Sequence, residues 1–297
     1  MSAADTVQIR TTDGRMVEAE AKVRSVNLGG RDIPLARIAS IHSAAAASDA
    51  ETARIDAGIA AVQGADRRAR DLAVEELTAI GLPVMSPLLK IYKDTDQHEP
   101  RPLYRLFERI IPSNADGFDR TLSLIRLTSG EVLRGALPAS GEIGGVPWSH
   151  VRALAVRQKR VSRAAMQAHS IRHSTQIEYL DTGVSLTAAS RVQIGAAGFA
   201  RLSWDTDSWA SDPNGLTKPG APSYKSHLFD GHPFGALVGR VGAAGEVFFV
   251  GKAFSKAGLT AGRLTLAVND NRHWQNNLGT YTVTLTATDA YDWGAAQ

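Results

Sequence analysis

The chain has 297 residues, with 33 Lys and Arg against 30 Asp and Glu, 43% hydrophobic residues and no cysteine. That length suits about two domains with a real core. The absence of cysteine excludes a disulfide scaffold, a thiolate zinc site, an iron–sulfur cluster and a cysteine nucleophile.

The N-terminal part reads as a repeat. Val7 to Val17 (VQIRTTDGRMV) matches Ser123 to Leu133 (SLIRLTSGEVL), and Ile33 to Ile41 (IPLARIASI) matches Val146 to Leu154 (VPWSHVRAL). Both copies alternate apolar and polar residues around an Asp-Gly or Ser-Gly turn, which predicts hairpins. Each copy is too small to bury a core alone, so residues 1–48 and 117–157 are expected to pair into one β unit.

Residues 49–116, between the copies, read as a helical insert. Asp49 is expected to cap a helix through Ile55, Ile59 and Val62. Asp66 is expected to cap a second through Leu72, Val74, Leu77 and Ile80, with Gly81 as its stop. A third is predicted from Met85 to Tyr92, and a fourth between Pro102 and Pro112. The run ARDLAVEELTAIGLPVMSPLLKIYKD resembles a HEAT-like helical repeat, which implies two antiparallel helices joined by a Gly-x-Pro turn. A packing insert is preferred here over an interaction surface.

From Arg152 to Ile177 there are six basic residues (Arg152, Arg157, Lys159, Arg160, Arg163 and Arg172) and no acid. The stretch carries no aromatic, as a nucleic-acid surface would. Residues 158–177 are therefore read as a solvated basic linker or surface helix, without a nucleic-acid partner. His169 and His173 have helical metal spacing, but the motif lacks a glutamate.

Residues 178–297 read as all β. Strands are predicted at Val184–Thr187, Val192–Ile194, Ala200–Trp204, Ala236–Val241, Val247–Val250, Leu264–Val268 and Tyr281–Ala287. Turn residues separate them at β-sandwich intervals. Asp205, Asp207, Asp212 and Asn214 form an acidic stretch read as a solvated turn, with a second ion as its alternative.

One predicted strand ends at Asn269-Asp270, and another begins after Asn276-Asn277-Leu278-Gly279. The intervening loop is rich in side-chain oxygens, and calcium takes six to eight oxygen ligands. Residues 178–288 resemble the PA-I-type galactophilic bacterial lectins, through DTGVSL, GFARL, DPNG, GALVGRVG and NDNRHWQNNLG. The resemblance implies a calcium-dependent sugar-binding β-sandwich. It implies that Ca2+ is held by the side chains of Asp270, Asn276 and Asn277, with backbone carbonyls from Leu202 and from His273 or Trp274. It further implies sugar contacts by Asp270, Asn271, Asn276 and an aromatic face from Trp274 or Trp209. The loop is one residue shorter than in those lectins, and their galactose-contacting His and Gln have no match in spacing, so the sugar is left open.

The expected class is a multidomain, mainly β protein: a C-terminal β-sandwich of jelly-roll type plus an N-terminal two-copy β-repeat unit with an all-α insert. The expected function is non-catalytic, calcium-dependent carbohydrate binding. The alternative is a calcium-stabilised adhesion or scaffold protein acting through protein contacts. A homo-oligomeric or protein partner is expected at the N-terminal region. No run of about 18 apolar residues exists, so no helical membrane span is expected. Secretion, with a signal peptide removed ahead of Met1, is the expected location and the cytoplasm its alternative.

Overall fold

A computed structural model of the chain describes residues 5–64, 66–93, 106, 110, 121–169, 179–202, 210–216, 229, 231–270 and 278–294. The fold is mainly β and antiparallel. The chain divides into two units. One comprises Met1–His98, Pro102–Gln158 and Tyr291–Ala296, and the other is built on Lys159–Ala290.

In the first unit, copy 1 supplies β1 (Thr6–Thr11), β2 (Met16–Glu20), β3 (Ser25–Leu28), β4 (Arg31–Pro34) and β5 (Ile38–His42). Three helices follow: α1 (Asp49–Gln63), α2 (Arg67–Ile80) and α3 (Met85–Lys93). Copy 2 supplies β6 (Ser123–Leu127), β7 (Val132–Gly135), β8 (Glu142–Ile143), β9 (Val146–Pro147) and the first half of β10 (Val151–His169).

The two copies pair by exchanging strands. The β1–β2 hairpin of copy 1 pairs with β10 of copy 2, and the β6–β7 hairpin of copy 2 pairs with β5 of copy 1. β10 and β5 pair at the centre. The sheet therefore reads β2-β1-β10-β5-β6-β7, the same from either end when the copies are exchanged. The loop bonds repeat this reciprocity: Thr12 N–H donates to the His150 carbonyl at 3.0 Å, and Thr128 N–H to the Arg37 carbonyl at 2.8 Å. The alternation of β1 places Val7 and Ile9 in a core with Val26, Leu35, Ile125, Trp148 and Leu154. In the copy 1 turn, the Thr11 hydroxyl and Arg15 hold the Asp13 carboxyl down at about 2.

The insert's local signals act where they were expected, with one shift. The Asp66 side chain accepts from Ala69 N–H at 3.0 Å, and α2 stops at Gly81 with φ +74°. The first cap is Ser48 rather than Asp49: its hydroxyl accepts from Glu51 N–H at 3.3 Å, and Asp49 sits one place inside the helix. After α2 a single 3-10 turn, Leu82–Val84, leads into α3. The helix path turns by 110° across this break, short of the reversal that the antiparallel HEAT-like pair requires. Leu82 and Val84 are buried in the corner, which packs it in place. Most of the expected fourth helix lies outside the described residues; Leu106 and Ile110 are helical.

Ion pairs seat the insert on the β unit. Glu76 of α2 pairs with Arg10 of β1 and with Arg54 of α1, and Arg54 donates to the Thr12 carbonyl at 2.6 Å. Glu51 accepts from Arg152 Nε at 2.9 Å, and Arg152 also donates to the Ala45 carbonyl at 2.6 Å. Arg152, which opens the acid-free basic run, is buried rather than solvated.

β10 continues unbroken to His169, so residues 158–169 are strand, not linker or helix. The ladder with a neighbouring strand satisfies the backbone there, and Val161 and Ala168 enter the second core. His169 thus ends a strand, outside the helical spacing that a metal pair with His173 needs, and His173 lies outside the described residues.

The second unit adds β11 (Leu180–Arg201), β12 (Ala210–Asp212), β13 (Gly215–Leu216), β14 (Leu237–Val241), β15 (Val247–Phe249), β16 (Ala253–Ala257), β17 (Gly262–Val268) and β18 (Leu278–Asp292). The order is β15-β14-β17-β11-β18-β10, with β16 and β12 also on β11. β11 joins what the sequence divided into three strands. Its Leu180–Leu186 part pairs with β17, its Arg191–Gly195 part with β16, and Ala200–Arg201 with β12. Val184, Leu186, Val192 and Ile194 of β11 meet Tyr281, Val283 and Leu285 of β18 in one core. β18 buries one face there, while the 181–186 part of β11 is buried on both. Asp181 and Arg263 tie β11 to β17 by bonds of 2.7 and 3.0 Å.

Candidate functional site

The candidate site lies at one end of the second unit, where β11, β12 and β17 end and β18 begins. Its floor is built around Gly235. The Gly235 N–H donates to the Asn269 carbonyl at 2.6 Å. A Cβ at Gly235, whose φ is +78°, would stand 2.8 Å from Leu202 Cδ1. The positive φ favours glycine here, where the ends of β11 and β17 pack together. Asn269 and Leu202, far apart in sequence, thereby adjoin the same glycine.

Asn269 is the organiser of this end, a role the sequence reading did not assign. It is fully buried. Its Oδ1 accepts from Phe229 N–H at 3.1 Å, while Nδ2 faces the carbonyls of Phe229, His232 and Pro233 at 3.2, 3.0 and 3.2 Å. Its own N–H donates to the Ala236 carbonyl at 2.8 Å. One amide side chain therefore supplies the donors and the acceptor that a non-repetitive backbone would otherwise lack. The signal was present in the sequence as an Asn closing an apolar strand, but its partners are about 40 residues away.

A second polar group sits beside it. The Tyr281 hydroxyl lies 2.7 Å from the Gly235 carbonyl, 3.0 Å from the Asp212 carbonyl and 2.9 Å from Ser211 Oγ. Tyr281 and Ser211 thus bring two O–H donors to two carbonyls. Burial pushes the Tyr281 phenol well above its ordinary value of 10.0, and the negative charges of Asp212 and Asp270 add to the rise.

Of the expected calcium ligands, two are described. Leu202 directly follows β11 and is buried; Asp270 follows Asn269 and is 4% exposed. The structure brings them to the same end of the unit. Asn276, Asn277, His273 and Trp274, together with the sugar-contact candidates Asn271 and Trp209, lie outside the described residues. The candidate donor set is all oxygen: one carboxylate, amide oxygens and backbone carbonyls. Such donors fit a hard cation like calcium rather than zinc or copper. Among the described residues, no group of three or more His, Asp or Glu is placed to hold a metal.

The motifs that carried the lectin resemblance have structural work here. Gly198 and Gly279 interlock β11 with β18. A Cβ on Gly198 would stand 2.6 Å from the Thr280 carbonyl, and one on Gly279 would overlap the Phe199 carbonyl. In Asp212-Pro213-Asn214-Gly215, the Asp212 carboxylate accepts from Asn214 N–H at 2.8 Å and pairs with Lys252 at 2.7 Å. Asn214 Oδ1 in turn accepts from Lys252 N–H at 2.9 Å. These oxygens lock a turn, and a lysine ammonium already answers the Asp212 charge. Asp205 and Asp207 lie outside the described residues.

No protein-family model and no curated protein matches the chain. Among solved structures, the chain is similar to one described as "EclA N-terminal domain; PllA-like lectin", at 22% identity and a TM-score of 0.31. That similarity covers 43% of this chain and 95% of the other.

Proposed function

We propose that the chain is a non-catalytic, calcium-dependent carbohydrate-binding protein. The observation that supports the reading is that Leu202 and Asn269, the residue before Asp270, both adjoin Gly235 at one end of the second unit. Asp270, Asn276 and Asn277 would hold the ion through side-chain oxygens, with carbonyls from Leu202 and from His273 or Trp274. Calcium would supply coordination positions that two neighbouring sugar hydroxyls complete. The protein's own part is positional: Asn269 and Tyr281 fix the backbone on which Asp270 stands.

Calorimetric titration with calcium tests the ion site. Binding to the wild type that Asp270→Ala abolishes supports it, and a flat titration of the wild type rejects it. A glycan array with and without chelator then tests the sugar. Chelator-sensitive melting with no glycan signal in either condition would favour the adhesion or scaffold reading instead.

A further inference from the structure

The sheet of the first unit has two open edges. Among the described strands, β2 pairs only with β1 and β7 only with β6. In an antiparallel pair, alternate residues turn their backbone groups toward the partner and away from it. Thr11 N–H donates to the Arg15 carbonyl and Ala21 N–H to the Asp5 carbonyl, so the backbone groups of Met16, Glu18 and Glu20 point outward. Leu127 N–H donates to the Glu131 carbonyl, so those of Val132 and Arg134 point outward at the other edge. Beyond Gly135 that edge is closed, because Gly29 N–H donates to the Ala136 carbonyl at 3.0 Å. A row of outward backbone groups is a template for another strand.

The two edges carry opposite charge at equivalent places of the repeat. Val17 and Leu133 pack against the same core, so the next residues, Glu18 and Arg134, take the opposite face of the sheet. Met16, Glu18 and Glu20 are exposed, and among the described residues neither glutamate has an ion-pair partner. Arg134 is half-buried and already has a partner, but a guanidinium has five donors and can take a carboxylate as well. Charges on an edge ordinarily keep strands apart. Here β2 on β2 would oppose glutamates and β7 on β7 would oppose arginines, whereas the unlike edges attract. Every neighbouring pair from β2 to β7 is antiparallel, so these two strands run in opposite directions. A second copy displaced along the sheet therefore brings its β7 antiparallel to β2. With Glu18 opposite Arg134, Glu20 stands diagonal to the guanidinium, and Ala19 meets Leu133 on the core face.

We infer that β2 of one copy takes β7 of a second copy as an added strand, Glu18 against Arg134, so that copies of the chain join head to tail. The contact joins unlike surfaces and does not close on itself as a two-fold dimer would. So short a ladder falls below the roughly 1,000 Å² of a stable interface, which makes association a property of concentrated protein. The inference is independent of the ion site and of sugar binding.

Analytical ultracentrifugation of the full chain up to millimolar concentration tests it. The wild type should gain mass continuously with concentration, and added salt should reduce the gain. Glu18→Arg and Arg134→Glu should each weaken association about tenfold, because an attracting pair becomes a repelling one. Mixing these two variants should restore association, since each supplies the edge charge that the other lacks. Glu18→Pro removes an outward N–H that β1 does not use, and should block association while melting like the wild type. A wild type that stays monomeric, a mass that stops at two copies, or a Glu18→Arg variant that associates like the wild type overturns the inference. So does a mixture that stays monomeric when both of its variants melt like the wild type. If Arg134→Glu melts early, Glu18→Arg and Glu18→Pro decide alone.

Discussion

Arg152 on β10 and Glu51 in the first turn of α1 form an ion pair in which neither side chain is exposed. Arg152 also donates to the carbonyls of Ser43, Ala45 and Ala46, so the chain entering the insert depends on it. Removing one partner of a buried pair leaves an uncompensated charge and costs about 3–5 kcal/mol. We expect that loss in urea unfolding for Arg152→Ala. The double variant Glu51→Leu, Arg152→Met should lose less than the single one, yet stay about 1–3 kcal/mol below wild type because the carbonyls lose their donor. A double variant as stable as the wild type would show that those carbonyl bonds contribute nothing.

Asn269 makes a sharper case, because a nearly isosteric change should be harmful. Asn269→Ala leaves the Phe229 N–H and three carbonyls without their partner and should cost about 3 kcal/mol. Asn269→Asp keeps the acceptor but points a second oxygen at the carbonyls of His232 and Pro233. It should destabilise at least as much. Chemical denaturation checks the order, and an aspartate variant close to wild type would contradict the assigned amide orientation.

Gly198 and Gly279 have φ of +114° and +92° and face each other's strand backbone. A side chain at either position adds the cost of an unfavourable backbone region to a steric overlap. Gly279→Ala should therefore lose at least about 2 kcal/mol of stability. Gly145→Ala, where no atom lies within 4 Å of the added carbon, should lose only the backbone term. Thermal melts of the two variants measure the difference.

Tyr281 predicts an alkaline limit. Its phenol is raised above 10.0 in the fold, so the unfolded chain ionises first as pH rises. Stability from this group is complete below pH 10 and falls as pH climbs beyond it. Tyr281→Phe should remove that part of the alkaline loss while giving up the hydroxyl's bonds to Gly235 and Asp212. Difference absorbance of tyrosinate should show a component that titrates only on unfolding and is lost in Tyr281→Phe.

The local rules were legible wherever a few neighbouring residues decide the outcome. The repeat, its glycine turns, the Asp66 cap and the Gly81 stop all depend on side-chain and backbone chemistry within a few positions. The cap at Ser48 was displaced by one residue because serine and aspartate stand adjacent and both suit the role. The predicted break in β11 between Ile194 and Ala200 was misplaced because glycine reads as punctuation. At Gly195 and Gly198 it marks the close approach of β18 instead, and that neighbour is about 85 residues away.

The composition excluded thiolate chemistry and left oxygen as the donor for any hard metal, and alternation alone put the threonines and the core residues of β18 on opposite faces. Tertiary structure decided which charges are solvated. Arg152 stood in a basic run and is buried because Glu51, about 100 positions earlier, neutralises it. It also decided that the two repeat copies exchange strands rather than fold side by side, since β1 and β5 find a ladder partner in the other copy, at β10 and β6. The same holds at the candidate site. The sequence supplied Asp270 and Leu202 as separate signals, and only the approach permitted by Gly235 brought their ends of the chain together.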